Sequence, residues 1–275
     1  MQESSPYKYK VLCCVNHFYG HNPQFIGKSS TQAAEVRKQI IEKCLLQLQE
    51  IESMDIKICG IEGYSLLPID INFPDIKNTP TLLIYESINY MVQYLDQYDY
   101  FINIEDDILL PKETFVNITQ FDKVSLVNEI LHPNRLEVDA KGNNYCVDLS
   151  AFGYWSFQRK FFLNKELRVN INPHSGIMIL SQAKFRYAIS NIDLSFRGII
   201  LAKEMESAFA HFHSPFSLYR PFENIGFHYI MHLDKWISQS SSKISDKKKA
   251  NKHKVNFKDF IPPILLMIPK YIKNL

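Results

Sequence analysis

The chain has 275 residues, 46% hydrophobic and 22% charged, enough to bury a sizeable core in one large α/β domain or two small ones. The net charge of +2 hides an asymmetry: residues 237–275 hold nine Lys and two Asp, hence +7, and the remainder carries −5. A basic tail on a mildly acidic body excludes nucleic acid as the partner of the body and reserves an acidic partner for the tail.

The opening "MQESSPYKYK" has no apolar h-region, so no signal peptide is expected, and no run of about 18 apolar residues predicts a membrane-spanning helix. "YKVLCCVNHF" predicts a first, buried strand. A loop with Gly20, Pro23 and Gly27 follows, Ser29, Ser30 and Thr31 offer an N-cap, and a helix is expected to about Glu52. Its predicted apolar stripe is Val36, Ile40, Cys44, Leu48 and Ile51. "DIKICGI" predicts a second strand, and "TPTLLIYESINYMVQYLDQ" a second helix with Ile84, Ile88, Met91 and Leu95 in register. A third strand, Tyr100 to Ile104, runs into three acids, Glu105, Asp106 and Asp107. The order β-α-β-α-β predicts a parallel sheet covered by helices. The cysteines, Cys13, Cys14, Cys44, Cys59 and Cys146, are odd in number and lack C-x-x-C spacing, so they are expected to be small buried hydrophobes in a reducing compartment.

Like carboxylates repel. Their clustering where the strand ends is tolerable if a divalent cation neutralises them, and the carboxyl end of a parallel strand is where α/β sheets bind ligands. A βαβαβ half of about 100 residues ending in "EDD" resembles nucleotide-sugar-dependent glycosyltransferases of the GT-A fold, over roughly Lys10 to Trp236. The resemblance implies a Rossmann-like three-layer α/β/α fold with a mostly parallel central sheet. It implies Mn²⁺ or Mg²⁺ held by Asp107, with Glu105 and Asp106 facing the nucleotide. Asn16 and His17, at the end of the first strand, would contact base or ribose.

"HPNRLE" (His132 to Glu137) and "FGYWSF" (Phe152 to Phe157) combine aromatics with polar groups, as sugar sites do, and Arg135 is a candidate phosphate or acceptor contact. "NINPHSGIMILSQAKF" predicts loop, strand and helix start, with His174 and Gly176 where the resemblance brings backbone close to donor and acceptor. "LAKEMESAFAHF" predicts a helix with Leu201, Met205, Ala208 and Phe212 on its apolar face. Glu204 and Glu206 are the candidate general bases, Glu204 preferred. In "RPFENIGFHYIMHLDKW" the resemblance implies a late His completing the metal site; His232 is chosen over His228, four residues earlier and on the same face.

After Trp236 the chain changes character. Residues 237–256 are Ser- and Lys-rich, a flexible linker; residues 257–275 are apolar, interrupted by Pro262, Pro263 and Pro269 and edged by lysines. Such a segment is expected to lie in an anionic membrane surface, at the cytoplasmic face. Residues 1–236 would form the catalytic domain, its nucleotide half at about 7–110 and its acceptor half at about 111–236. The function so expected is transfer of a sugar from a nucleotide-sugar donor to a glycan or lipid-linked acceptor, metal-dependent and inverting, in cell-surface polysaccharide or glycolipid synthesis. A nucleotidyltransferase and a non-catalytic glycan-binding protein are the alternatives, and a homo-oligomer stays open. The sequon Asn117-Ile118-Thr119 is read as chance.

Overall fold

The structure, a computed structural model, describes residues 9–20, 31–51, 53–138, 142–146, 155–170, 172–173, 176–200 and 204–233. The first half runs β1 (Val11–Asn16), α1 (Thr31–Leu48), β2 (Met54–Gly60), β3 (Ile71–Asn72), α2 (Leu83–Val92) and β4 (Tyr100–Glu105). Then come β5 (Ile108–Leu109), α3 (Lys112–Asp122), β6 (Glu129–Leu131), β7 (Asn134–Val138) and β8 (Asn144–Cys146). A hairpin of β9 (Trp155–Phe162) and β10 (Lys165–Asn170) precedes β11 (Ile177–Ser181) and α4 (Gln182–Asn191). The described chain closes with α5 (Glu204–His213), β12 (Ser217–Pro221) and β13 (Tyr229–His232).

The central sheet has the order β11-β4-β1-β2-β3. Its pairs β1–β2, β1–β4 and β2–β3 are parallel, and only β11 runs antiparallel, against β4. All six residues of β1 are buried, because it is the middle strand with cover on both faces. Alternation sends Leu12, Cys14 and Phe101 into one core, with Ile84, Ile88 and Met91 of α2, Phe185 of α4 and Phe209 of α5. Val11, Cys13, Val15, Ile102 and Ile104 enter the other, with Leu48 of α1 and Phe115 and Phe121 of α3. The expected mixed α/β architecture, helices on both faces of a mostly parallel sheet, is thus present.

Three features differ from expectation. The α1 stripe holds at Cys44, Leu48 and Ile51, but its first half is shifted by one residue: Ile41 is buried in place of Ile40, and Val36 is 53% exposed. The shift turns Arg37 inward, which the site explains below. Helix α2 stops at Val92, and Leu95 reaches the core from the turns beyond it. Two further four-stranded sheets accompany the central one, in the orders β6-β12-β10-β9 and β5-β13-β7-β8. The second of these begins one residue after the acids and assembles the site. All five cysteines are free and buried. Among the described residues no helix is long and apolar enough to cross a membrane. The linker and the apolar tail expected after Trp236 lie outside the described residues.

Candidate active site at the carboxyl end of the parallel sheet

The floor of the site is a closed polar network. Asn16 Nδ2 donates to Asn103 Oδ1 at 2.7 Å and to the Ile104 carbonyl at 3.2 Å. Ser87 Oγ of α2 donates to Asn16 Oδ1 at 2.6 Å and accepts from Asn103 Nδ2 at 2.7 Å. All three residues are buried. The polar atoms of Asn16, expected to meet base or ribose, tie β1 to β4 and α2, since a central strand leaves a polar side chain little route to solvent.

His17 is also fully buried. Its Nε2 accepts the Leu66 backbone N–H at 2.8 Å, so the ring proton sits on Nδ1 and is donated to Asp106 Oδ2 at 2.6 Å. Asp106 Oδ1 accepts from Arg37 Nη2. Both Asp106 oxygens are thus occupied within the protein. Asp106 and His17, expected to meet the nucleotide, hold one another.

Asp107 is placed differently. Its Oδ2 accepts from Arg37 Nη1 at 2.9 Å and lies 3.4 Å from His232 Nε2. Its Oδ1 is buried without a hydrogen-bond partner. Burial alone would raise the Asp107 carboxyl, but Arg37 and His232 outweigh it and hold it well below the usual carboxylate range. The repulsion inherent in the acid cluster is relieved by the chain's own cations. Arg37 was missed from sequence because only apolar residues were counted on α1. The buried face in fact runs Arg37, Ile41, Cys44, Leu48, and a lone arginine heading such a stripe was the available signal.

The sheet β5-β13-β7-β8 explains how His232 and Arg135 reach the acids. His232 pairs with Ile108 across β13 and β5, and Ile230 with Arg135 across β13 and β7. His232 Nδ1 meets Glu137 Oε1, on β7, at 2.6 Å. Burial opposes charge on His232, yet its contacts with Asp107 and Glu137 prevail and push it up to about 10. His228, the alternative, is enclosed elsewhere, its Nε2 donating to the Leu131 carbonyl at 3.3 Å.

Glu105 pairs with Asn16 at the end of β4, and its N–H donates to the Gly176 carbonyl at 2.9 Å. Its carboxyl is pushed up to about 7, by burial first and then by the charge of Asp107, with Arg135 and His232 pulling the other way. Gly176 has φ +73°, and a Cβ there would lie 2.7 Å from Glu105 Oε2. His174 lies outside the described residues. Of the two candidate bases, the charge of Glu206 acts on Glu105, and Glu206 Oε2 is buried without a hydrogen-bond partner. Glu204 acts instead on the Tyr85 hydroxyl. Of the two, Glu206 is the acid whose charge reaches the cluster. Of the aromatic patch at Phe152 to Phe157, residues 152–154 lie outside the described residues, and Phe157 is 95% exposed on β9.

Among the described residues no three His, Cys, Asp or Glu side chains form a ready cation cage. Small hard cations are often held by one or two protein carboxylates with substrate phosphates and water completing the shell. Asp107, with one buried oxygen that has no hydrogen-bond partner, fits that mode. His232, held protonated between Asp107 and Glu137, fits it once a cation displaces its Nε2 proton, its Nδ1 already oriented by a carboxylate as in metal-bound histidines.

No family model matches the sequence, and no curated protein does. Among solved structures the chain is similar to the "crystal structure of a glycosyltransferase involved in the glycosylation of the major capsid of PBCV-1". The identity is 10%, over 86% of this chain and 99% of that one, with a TM-score of 0.32. At that TM-score the likeness bears on neither residue roles nor reaction.

Two buried histidines set a pH dependence of stability. His213 Nδ1 donates to the Pro173 carbonyl at 3.0 Å, and burial pushes the ring down to about 4; burial likewise pushes His228 down to about 3. Below pH 6.5 the unfolded chain takes up two protons that the fold refuses, so stability falls as pH drops. Glu105 opposes this, holding between pH 4.5 and 7 a proton that the unfolded chain releases. The net is one proton, so unfolding free energy should decline by about 1.4 kcal/mol per pH unit near pH 5. His232 keeps its proton in the fold up to about pH 10 and opposes the two neutral histidines above about pH 6, so urea titrations from pH 6 to pH 5 check this. Flat stability, or a gain on acidification, would contradict the burial of neutral imidazoles.

Proposed function

We propose that the chain is a metal-dependent glycosyltransferase that moves a sugar from a nucleotide-sugar donor to a glycan or lipid-linked acceptor. The observation that carries the reading is the unpartnered Oδ1 of buried Asp107, whose Oδ2 faces His232, at the carboxyl end of a parallel sheet, with His232 anchored by Glu137. Asp107 and His232 would hold Mn²⁺ or Mg²⁺. Bound there, a divalent cation supplies charge neutralisation for the donor's diphosphate as it leaves.

The remaining roles belong to the chain. Gly176 leaves room beside Glu105 where a side chain would fill it. Arg135 offers a guanidinium to phosphate or acceptor oxygens. Glu206 takes the proton of the acceptor hydroxyl as its oxygen bonds to the anomeric carbon, and the bond from that carbon to the diphosphate breaks with its electron pair leaving on the nucleotide. A base positioned for direct attack gives inversion. The basic, apolar tail would hold the enzyme to an anionic membrane surface at its cytoplasmic face, in the synthesis of cell-surface polysaccharide or glycolipid.

The test is a thermal-shift panel of nucleotide sugars with and without Mn²⁺. One nucleotide is expected to raise the melting temperature only when Mn²⁺ is present. If none stabilises the protein in a metal-dependent way, the transferase reading fails.

A further inference from the structure

Arg37 spans both aspartates. Its Nη1 donates to Asp107 Oδ2 at 2.9 Å and its Nη2 to Asp106 Oδ1, while His17 holds the other Asp106 oxygen. The guanidinium is therefore fixed to the pair as a fork, and its charge is the largest influence lowering Asp107 against burial. His232 Nε2 faces the same Oδ2 at 3.4 Å, while Oδ1 is buried without a hydrogen-bond partner. A divalent cation at that oxygen would face a guanidinium on the same carboxylate, and like charges a few ångströms apart in a partly buried site repel strongly.

We propose that Arg37 is a built-in counter-cation that competes with the divalent cation for Asp107 and turns to the donor's diphosphate when the cation binds. The inference rests on the proposed function and goes beyond it. It makes cation and diphosphate arrive as a pair: the cation alone binds weakly because Arg37 already balances the acids, and a diphosphate offers the released guanidinium a bidentate partner. The turn of helix that carries Arg37 has Ile41, Cys44 and Leu48 packed below it, so the arginine stem pivots from a fixed base.

The experiment titrates Mn²⁺ alone into the full chain, followed by the paramagnetic signal of free Mn²⁺, and then titrates pyrophosphate at saturating Mn²⁺. Arg37→Met, close in length but uncharged, should bind Mn²⁺ about 10- to 100-fold more tightly than wild type and the manganese–pyrophosphate complex about 10-fold more weakly. Arg37→Lys, which keeps the charge, should hold Mn²⁺ within about threefold of wild type. Unchanged or weaker Mn²⁺ binding by Arg37→Met overturns the competition while wild-type binding leaves the metal site standing. Binding by neither protein overturns both the competition and the transferase reading. Should Arg37→Met fail to fold, the wild type decides: the Arg37 Nε–H resonance is expected to move on addition of Mg²⁺ and pyrophosphate together, and an unmoved resonance overturns the proposal.

Discussion

Asp107→Ala is expected to abolish the Mn²⁺-dependent part of any nucleotide thermal shift and to lower kcat/KM about 100-fold or more. Even outer partners of metal ligands act on that scale, and Asp107 is placed as a ligand itself. The same change removes one of two carboxylate partners of His232 and one of two acceptors of the Arg37 fork. Some loss of stability should follow, because two buried cations then share fewer anions. Comparing Asp107→Ala with Asp107→Asn separates the effects. The amide keeps the volume and one acceptor oxygen, so it should recover stability without recovering the metal-dependent shift. A variant that still shows metal-dependent nucleotide binding would place the cation elsewhere.

Gly176→Ala should have the second largest effect, and on two levels at once. The backbone at 176 has φ +73°, a conformation that L side chains resist, so alanine is expected to cost about 1–3 kcal/mol of stability. The added methyl would also stand 2.7 Å from Glu105 Oε2 and 3.2 Å from the Ile108 side chain, forcing the acid and the start of β5 to move. Displacements of about 1 Å in a catalytic constellation can cost on the order of 100-fold in rate. Urea unfolding measures the first effect and steady-state kinetics the second. Full stability with full activity would show that the segment yields freely and that Glu105 has no fixed role.

Much of the fold was legible because long, strongly patterned segments dominate it. Val11–Asn16 and Tyr100–Glu105 are apolar runs of the length of buried strands, and the helical spacing of Ile84, Ile88 and Met91 marked α2. The two smaller sheets were not legible. Strand β5 has two residues and β6 three, too few for any period to show, and both owe their existence to partners far along the chain. The site divides in the same way. Asp107 and His232 were marked by residue type and by position at strand ends. Arg37 was hidden, because a charged residue on a helix is ordinarily solvated, and here its inward turn depends on acids that fold up against it. Asn16 misled for the opposite reason: a polar residue closing a strand looks accessible, yet β1 has neighbours on both sides and helices above and below.

The sheet that joins β5, β13 and β7 also sets a timetable. His232 stands 95 positions beyond Glu137, the carboxylate that orients it, and it belongs to the last described strand. During synthesis the acids of β4 emerge, and can be balanced by Arg37 and His17, long before the histidine leaves the ribosome. Under the proposed function, competence to hold a divalent cation would come only when the last described strand slots between β5 and β7.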